Sequence, residues 1–573
     1  MKRSFFRKAL CFLILTGLLM TQLVVFASAS QSPEDDPADI FTDVPQNAWY
    51  RDAVRHVVRN GYFNGVTDTL FVPGGTMTRA MTVAVIWRMA GCPHAEGPIG
   101  FADVPSDQYY TEAVIWASQN GIVNGVSDTA FAPKQSVTRI QTAAMLYRYA
   151  AFCGAASDPD PGCTGGFPDE SAVAAYGVVP MRWAVTCGII DGREIRGLSW
   201  LQPGQNITRA EAAAMLMRYD EHVVSGSPVP QDTPEDGPEP DRLTTVWTDG
   251  VKTEQCPVWD ELRYMGLEQA ASVGGGTSSA AGNLRLSAFG HTLYLSKSGK
   301  EALIDGEYAV LSAPCRSSGG IWYVPFSELL SRFGYTFLDD QERNQCFYSR
   351  IPSNTAVPGG KRIVILRYHC VSDNVWGQES LFMSPAKLEE QISEMKRMGC
   401  SFLTFEDLAQ VDQYELPVLL TFDDGYADNY TELLPILKRQ NVRATVFMIT
   451  KHVGRNYYLT ADQLREMSQS GFVSIQSHTQ THADLTQVPD EQLAGECSGS
   501  RLDLARITGR IPFVLSYPKG MVDERVEAEL RNWYQFGVLA NTSPFLSGTN
   551  PYAVSRFGMP RDITPEQWKA YFN

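Results

Sequence analysis

The chain has 573 residues, of which 44% are hydrophobic and 20% charged, so it contains enough apolar material for several globular cores. Its formal net charge of −16 argues against a general nucleic-acid-binding protein, because such proteins present a basic surface to phosphate. The 11 cysteines are too sparse for a small disulfide-stabilised scaffold, and no Cys-x-x-Cys pair or Cys/His zinc-finger spacing occurs.

The first residues are typical of a secretory signal. The basic residues at the start are Lys2, Arg3, Arg7 and Lys8. An apolar stretch then runs to Phe26, and Ala27–Ala29 has the small-x-small pattern of a cleavage site. We therefore interpret residues 1–29 as a cleaved signal peptide of a secreted protein with no later membrane span. An uncleaved anchor is the alternative, because the apolar run is close to spanning length. Outside the cell Cys153 could pair with Cys163, and free thiols fit the sequence equally well.

Three repeats follow, at residues 41–92, 101–152 and 167–220. The first opens with "FTDVPQNAWYRDAV", the second with "FADVPSDQYYTEAV" and the looser third with "FPDESAVAAY". In each copy an aromatic residue and an acid precede a short amphipathic helix, a glycine-rich turn and a second helix. Repetition of this pattern predicts one helix–turn–helix unit per copy.

The second helix of each copy begins at a threonine followed by an arginine. "TRAE" at Thr208–Glu211 is a capping box, in which the threonine caps the helix and the glutamate reaches back. Gln141 can make the glutamate's hydrogen bond after Thr138, whereas Met81 cannot make it in the first copy. The helix dipole disfavours a cation in the first turn, so an arginine there in all three copies predicts a bound anion. The alternative is an arginine that packs its stem on the preceding turn. The three arginines are Arg79, Arg139 and Arg209.

These repeats resemble S-layer homology (SLH) domains, strongly in the first two copies and less closely in the third. The resemblance implies a pseudo-threefold helical unit that attaches the protein to an anionic secondary cell-wall polysaccharide of a Gram-positive-type bacterium. It also implies that polymer binding uses the three arginines and the acids that open the copies. Those acids are Asp43, Asp103 and Asp169.

A linker and a small domain come next. Residues 221–242 are acidic and rich in proline, which predicts an extended, solvated linker. Residues 243–352 alternate short strands with turns and contain one predicted helix, Phe326–Phe333. This stretch resembles the small α+β domain at the N-terminus of copper amine oxidases. It contains a single histidine, His291, so no copper site is implied, and we interpret it as a spacer or accessory binding module.

Strands and helices alternate through residues 361–573. The predicted strands are "RIVILRYH", "LPVLLTFDDG", "VRATVFMI", "FVSIQSHTQTH" and "IPFVLSYPKG", and amphipathic helices separate them. This alternation predicts a parallel sheet, either open or closed into a barrel. In such folds the chemistry gathers where the strands end, so the residues just after each strand are the candidates for a site.

Two acids and two histidines stand at those strand ends. His478 and His482 are one helical turn apart in spacing, as zinc ligands often are, although this pattern alone is weak. Asp423 and Asp424 follow a strand that breaks at Gly425, so both can face one pocket. One acid can ligate a divalent metal while its neighbour acts as a base, and the cation offsets their repulsion. The ligand types favour zinc, and cobalt or nickel would fit the same set.

"TFDDG" and "HTQTH" resemble the first two motifs of NodB-type polysaccharide deacetylases, carbohydrate esterase family four. The start "ILRYHCVSD" is similar to the branch that deacetylates poly-N-acetylglucosamine. The resemblance implies an irregular (β/α) barrel. It also implies metal-dependent removal of N-acetyl groups from an N-acetylglucosamine-containing polymer. It makes Asp423 the general base, with Asp424, His478 and His482 as the metal ligands.

The third motif departs from the family pattern. "SYPKG" has Ser516 where the family often has an arginine that tunes the base, and Lys519 replaces a tyrosine. We expect Tyr517 and Lys519 to supply the substrate or oxyanion contacts, through a backbone N–H near Lys519. The tail segment containing Arg556 resembles the arginine-bearing segment of the same branch, so Arg556 is expected to orient Asp423.

The general acid is the least determined part of this site. No histidine follows His482, which leaves His369 as the expected acid, with a structural histidine as the alternative. Two other functions stay open: a wall-bound carbohydrate-binding protein that has lost turnover, and an O-acetyl polysaccharide esterase.

Overall fold

The computed structural model of the protein describes residues 36–229 and 237–573 and divides into two compact units. The first unit holds the described residues up to 163, with 169–191 and 201–229. The second holds 164–168, 192–200 and 237–573. The expected signal peptide and the middle of the expected linker lie outside the described residues. Within the described ranges, no helix combines the length and the apolar character needed to span a bilayer.

Each repeat of the first unit contributes two helices, as the sequence predicts. The helices span Arg51–Arg59, Arg79–Met89, Thr111–Gln119, Arg139–Phe152, Val178–Thr186 and Arg209–Arg218. Capping boxes start the helices after Thr138 and Thr208, whereas Thr78 caps its helix without one, so the predicted difference between the copies is confirmed. The last helix continues as a π-helical segment, Tyr219–Val224, into the stretch expected to be linker.

Three backbone hydrogen bonds close the repeats into a ring. The amide of Met77 donates to the carbonyl of Ile207 (3.0 Å), Val137 donates to Met77 (2.9 Å) and Ile207 donates to Val137 (3.1 Å). All three side chains are buried, so the ring lies inside the unit. Because each bond joins one copy to the next, the three copies form a closed pseudo-threefold arrangement.

The middle region of the second unit is built mostly of short antiparallel strands. They form two five-stranded sheets and one three-stranded sheet. The strands are Arg242–Thr248, Val251–Trp259, Leu262–Arg263, Met265–Gly266, Thr277–Ser279, Leu284–Ala288, His291–Leu295, Glu301–Ile304, Glu307–Val310, Arg316–Ser318, Ile321–Val324, Tyr335–Asp340 and Gln345–Arg350. Two helices, Leu267–Val273 and Phe326–Arg332, pack on them, and the second confirms the predicted helix. The unit also contains the hairpin Arg193–Ile195 and Leu198–Trp200.

A largely parallel sheet forms the centre of the C-terminal region, as the alternation of elements predicts. In spatial order its strands are Phe536–Val538, Val514–Ser516, Val473–Ser477, Ala444–Met448, Leu416–Phe422, Arg362–Tyr368 and Phe545–Leu546. Cys400–Leu403 pairs beside Leu416–Phe422, and Phe557–Gly558 beside Arg362–Tyr368. A separate pair is Cys370–Val371 and Phe382–Met383. The helices are Pro385–Arg397, Leu434–Gln440, Ala461–Gln469, Asp490–Ala494, Ser500–Thr508, Glu524–Leu530 and Pro565–Lys569.

Alternate residues of these strands pack into two different cores. Leu366 and Leu420 belong to a core that includes the helices, whereas Ile365 and Leu419 belong to a second core on the opposite face of the sheet. Successive strand side chains point to opposite faces, so burial on both faces explains the nearly continuous apolar runs in the sequence.

The chain near its end closes this sheet. Val554 pairs in parallel with Val538 at one edge, and Phe557 pairs with Leu366 near the other. The segment between Val554 and Phe557 therefore bridges strands from the two ends of the sheet, which makes it an irregular barrel. The same segment carries Arg556 into the barrel.

All ten cysteines of the described residues are free thiols. Cys153 is exposed and Cys163 is buried, so the structure does not join the pair that the sequence left open.

An ion pair joins the middle region to the barrel within the second unit. Arg506 donates to both carboxylate oxygens of Asp340, at 2.8 and 2.5 Å, and to Glu342 at 2.6 Å. The Asp340 side chain is buried. The hydrogen bond from Arg506, acting against the effect of burial, lowers the pKa of Asp340 below its ordinary value.

We predict that Asp340→Asn lowers the free energy of unfolding at pH 7 by about 1.5–3 kcal/mol, the typical contribution of hydrogen bonds to a charged group. A lowered folded-state pKa stabilises the fold above the unfolded-state pKa, and this stabilisation is lost as the pH falls through the folded value. The deficit should therefore shrink as the pH falls below about 4. Urea unfolding at pH 7 and pH 3 checks this. Asp490→Asn is the control, because its ion pair with Arg525 is exposed. An equal deficit at both pH values would contradict the prediction.

Candidate functional site

The two adjacent aspartates reach one pocket because the backbone turns between them. Asp423 follows the alternation of the strand Leu416–Phe422, so it lies on the same face as Leu419, inside the barrel. Asp424 has a φ of 71° and Gly425 a φ of 77°, both in the left-handed region that non-glycine residues rarely adopt. This turn brings the Asp424 carboxylate back towards the two histidines instead of to the opposite face.

Asp424, His478 and His482 form a cluster of possible metal ligands. Asp424 Oδ1 lies 3.4 Å from His478 Nε2 and 3.5 Å from His482 Nε2. Ligand atoms in a tetrahedral site with bonds of about 2.0–2.1 Å are about 3.3–3.4 Å apart, so the spacing fits a zinc-like ion. The Nδ1–H of His478 donates to the carbonyl of Ser516 at 2.7 Å, which leaves Nε2 free to ligate. The cluster therefore fits a divalent metal in both spacing and donor type.

The interpretation of His478 and His482 as one turn of helix apart is wrong. The strand Val473–Ser477 ends just before them, and both lie in a loop. Thr479 and His482 have φ values of 64° and 66°, and these two left-handed residues fold the loop so that both rings face Asp424.

Glu496 holds that loop from outside the cluster. Its carboxylate accepts hydrogen bonds from the amides of Gln480 and Thr481 at 3.0 Å each, and from the Thr481 hydroxyl at 2.7 Å. Glu496 lies in the π-helical turn Gly495–Gly499, which widens the helix next to the loop. The loop conformation that aims His478 and His482 thus depends on a residue outside both motifs.

Arg556 binds Asp423 in a two-pronged ion pair. Its Nη1 and Nη2 donate to Oδ1 and Oδ2 of Asp423 at 2.7 and 2.8 Å, and its Nε donates to the Leu539 carbonyl at 2.8 Å. Both side chains are buried. Burial alone would raise the pKa of Asp423, but the charge and hydrogen bonds of Arg556 hold that pKa well below its usual range. Asp423 is therefore an ionised carboxylate with a fixed orientation.

The structure explains the serine that replaces an arginine in the third motif. Arg556 Nη2 also donates to the Ser516 hydroxyl at 2.9 Å. The guanidinium that contacts Asp423 therefore comes from the segment that closes the barrel, and Ser516 is small enough to leave room for it.

Tyr517 and Lys519, the two candidates for substrate contacts in the "SYPKG" turn, have different surroundings in the structure. The Tyr517 ring packs in the core, its hydroxyl donates to the Tyr552 carbonyl, and its amide donates to the Val538 carbonyl. The Tyr517 side chain is thus not brought to the site. Lys519 has an exposed side chain and a φ of 59°.

Two further basic residues near the carboxylates were missed at the sequence level. Arg367 precedes His369 by two residues and lies on the same strand face, and its charge acts on both aspartates. His452 follows a segment whose Thr450 and Lys451 amides donate to the carbonyls of the "HTQTH" loop. Neither residue belongs to a recognisable motif. Apart from the two possible metal ligands, the charge of Asp424 acts on both His369 and His452, so His369 is not the only candidate for the general acid.

Burial dominates the electrostatics of both extra imidazoles. It lowers the pKa of His369, and the negative charges of Asp423 and Asp424 partly oppose that effect. Burial also lowers the pKa of His452, with Arg455 acting in the same direction and Asp424 against it. Both rings are therefore biased towards the neutral form.

The acids that open the repeats bind backbone amides within the first unit. Asp43 accepts hydrogen bonds from the amides of Phe71 and Val72, using both carboxylate oxygens. Asp103 and Asp169 make the same pair of contacts in the second and third copies. Each acid therefore has a structural use that the sequence did not reveal.

The repeat arginines are buried at the junctions between copies. Arg79 Nε donates to the Phe131 carbonyl, Arg139 Nε to Leu201 and Arg209 Nε to Phe71. The Arg79 and Arg209 guanidinium groups also lie 4.7 and 4.6 Å above the Phe131 and Phe71 rings. Burial lowers the pKa of Arg79 and Arg209. A carboxylate oxygen of Glu211 lies 3.9 Å from Nη1 of Arg139.

Comparison with known proteins agrees with the two sets of motifs. The family model for polysaccharide deacetylases matches residues 410–535, and the model for S-layer homology domains matches residues 40–80 and 100–143. A putative polysaccharide deacetylase, YxkH of Bacillus subtilis, is 31% identical over 216 residues, which cover 37% of this chain and 76% of that protein.

The chain belongs to the polysaccharide deacetylase family. The repeat-bearing part of this deacetylase carries S-layer homology domains, which indicate association with the cell surface or cell wall.

Two other relatives are similar to parts of the deacetylase. The surface-layer 125 kDa protein of Lysinibacillus sphaericus is 31% identical over 207 residues, which cover 36% of this chain and 16% of that protein. The poly-beta-1,6-N-acetyl-D-glucosamine N-deacetylase of Staphylococcus epidermidis is 25% identical over 194 residues, which cover 31% of this chain and 67% of that protein.

We predict that Glu496→Gln weakens the binding of added zinc to the Asp424, His478 and His482 cluster by about 10- to 100-fold, the usual effect of losing a partner that orients the ligands. An uncharged amide accepts weakly from the Gln480 and Thr481 amides, so the loop should loosen. Competition with a chelating dye measures the affinity. Glu491→Gln is the matched control, because Glu491 is exposed on the preceding helix, Asp490–Ala494. Equal zinc affinity of the wild type and the Glu496 variant would contradict the role given to this residue.

Proposed function

We propose that this deacetylase is a cell-wall-anchored, metal-dependent hydrolase that removes N-acetyl groups from an N-acetylglucosamine-containing polymer. The products would be a free amine on the polymer and acetate. The observation that carries this proposal is the Asp424, His478 and His482 cluster with the buried carboxylate of Asp423 beside it. Asp424, His478 and His482 would hold the metal, with zinc favoured and cobalt or nickel possible. A divalent metal there would polarise the acetyl carbonyl and lower the pKa of an attacking water to about 7.

Asp423 would act as the base that takes a proton from the attacking water. Its bidentate pairing with Arg556 supports this role, because a fixed carboxylate loses no free energy in orienting itself. The same pairing makes Asp423 a weak base, which suits a water molecule that is already acidified. Arg556 would act through Asp423 as a positioning residue.

Two other groups complete the proposed reaction. The backbone N–H of Lys519 would donate to the oxygen that becomes negative as water attacks the carbonyl. His369 would deliver a proton to the leaving amine nitrogen. A neutral imidazole can accept a proton at one nitrogen and donate from the other, which is compatible with the lowered pKa of His369. His452 is the competing candidate for this step.

The substrate class rests on the motifs and on one relative. The Staphylococcus epidermidis relative is named for the deacetylation of poly-beta-1,6-N-acetyl-D-glucosamine. We propose the same chemistry for this chain, on that polymer or on peptidoglycan or a chitin-like polymer.

We predict that Asp424→Asn and Asp423→Asn reduce acetate release for different reasons. Asp424→Asn should weaken zinc binding, because a neutral amide replaces an anionic ligand. Asp423→Asn should bind zinc as the wild type does but lose at least 100-fold in the rate of acetate release, the scale of general base catalysis. Metal content measured by mass spectrometry and acetate release from N-acetylglucosamine oligomers separate the two effects.

The same assay distinguishes the competing functions. Full zinc occupancy without acetate from any N-acetylated glycan would favour a wall-bound carbohydrate-binding protein. Faster release from O-acetylated xylan than from N-acetylated oligomers would favour an O-acetyl polysaccharide esterase. Turnover that survives Asp423→Asn would contradict the base assigned here.

The S-layer homology domains would bind an anionic secondary cell-wall polysaccharide. An exposed aromatic side chain occurs at the same place in each copy, at Trp49, Tyr109 and Tyr176. The positive charges of Arg88 and Arg209 act on Tyr109, and those of Arg148 and Arg79 act on Tyr176. A cation beside an exposed ring suits an anionic sugar.

We predict that Tyr109→Ala combined with Tyr176→Ala weakens sedimentation with purified cell walls by at least tenfold. Val126→Ala is the control, because Val126 is exposed in the turn of the second copy. Walls from which the anionic polymer has been extracted should not retain the wild type. Retention on extracted walls, or by the double variant at wild-type strength, would contradict this mode of binding.

A further inference from the structure

A group of aromatic side chains lies beside the candidate metal ligands and takes no part in the proposed reaction. Trp376 stacks on Tyr457, with ring centroids 4.3 Å apart and planes at 17°. Trp376 also meets Tyr426 edge-on at 5.2 Å, and Tyr426 stacks on Tyr458 at 5.1 Å. The four rings form a continuous set, which we call the aromatic ridge.

The aromatic ridge is tied to the turn that carries the two aspartates. The amide of Ala427 donates to the Tyr457 carbonyl at 2.8 Å, and the amide of Leu459 donates to the Gly425 carbonyl at 3.0 Å. These bonds flank an antiparallel bridge between Tyr426 and Tyr458. Backbone bonds therefore hold the segment that carries Tyr457 and Tyr458 against the turn at Asp424.

Tyr457 has two unfavourable features, a left-handed backbone conformation and a largely exposed residue surface. Its φ is 70°, in the left-handed region that is sterically unfavourable for a residue with a side chain. The residue is nonetheless 56% exposed, so burial of the ring does not offset that strain. Glycine would adopt this backbone without strain. A strained residue that exposes an aromatic ring beside a candidate active site suggests that the ring has a ligand.

We infer that Tyr457, with Trp376 stacked behind it, forms a binding platform for one sugar ring of the polymer. The inference rests on the proposed function, because it supplies a subsite to the same active site. One face of the Tyr457 ring is covered by Trp376, and the other can pack against the apolar C–H face of a pyranose. In the series of ring contacts, Trp376 lies between Tyr457 and Tyr426, which is two residues from Asp424. We therefore place the bound sugar next to the unit that loses its acetyl group.

This platform contributes to polymer binding but not to the chemical step. Contacts with a remote sugar are the same in the ground state and in the transition state, so their loss raises KM and leaves kcat unchanged. Removal of the Tyr457 ring should not change the rate of hydrolysis of a short substrate that cannot reach it.

The test compares Tyr457→Ala, Tyr457→Phe and Tyr457→Gly with the wild type in the full-length protein. We expect Tyr457→Ala and Tyr457→Gly to raise KM for N-acetylglucosamine pentamer at least fivefold with unchanged kcat. Tyr457→Phe should stay within twofold of the wild type. Hydrolysis of a small aryl acetate should be unaltered in all three. The midpoint of thermal unfolding should not fall in Tyr457→Gly, because glycine relieves the strain at this φ.

Tyr308→Ala is the matched control, because Tyr308 is a comparably exposed tyrosine in the middle region. A wild-type KM for the pentamer in Tyr457→Ala would overturn the inference. An equal loss of activity on the aryl acetate would also overturn it. The ridge would then only support the turn that carries Asp423 and Asp424. If the wild type releases no acetate from any substrate, the proposed function fails. Calorimetric titration with the pentamer still tests the platform, since Tyr457→Ala should then bind at least fivefold more weakly than the wild type.

Discussion

The buried ion pair between Arg556 and Asp423 is the interaction on which the candidate site depends. An unpaired carboxylate in this position would be expensive, since burial opposes ionisation and Asp424 lies next to it in the chain. Arg556 removes that cost with two hydrogen bonds to the carboxylate and also contacts Ser516. Because Arg556 lies on the segment that closes the barrel, the same segment completes the sheet and orients the Asp423 carboxylate.

Both units use arginine to connect distant parts of the chain. Arg209 donates to the carbonyl of Phe71, and Arg556 reaches Asp423 across a similarly large separation in sequence. In the repeats these contacts lie beside the ring of backbone bonds through Met77, Val137 and Ile207. A guanidinium is well suited to this task, because it offers five donors in a rigid plane and keeps its charge when buried. The repeat arginines therefore have a structural role beside the anion binding proposed for them.

Local patterns predicted the elements and the ligand types well. The alternation of apolar strands with amphipathic helices led to the parallel sheet, and the threonine caps were correct in all three copies. Spacing was a poorer guide to geometry. His478 and His482 lie in a loop with two left-handed residues, so their four-residue separation did not reflect a helix. Arg367 and His452 belong to no motif, and only the folded chain places them near the aspartates.

The sequence by itself determined which residue types are available and which elements form. Periodicity, caps and turn residues act over a few positions, and so do the motifs that contain Asp423, Asp424, His478 and His482. The tertiary structure decided how these residues are used. The partner of Asp423, the support that Glu496 gives to the histidine loop and the exposure of Tyr457 all depend on contacts between segments far apart in the chain. Such contacts arise only when the sheet closes, because they require several segments to be packed at once.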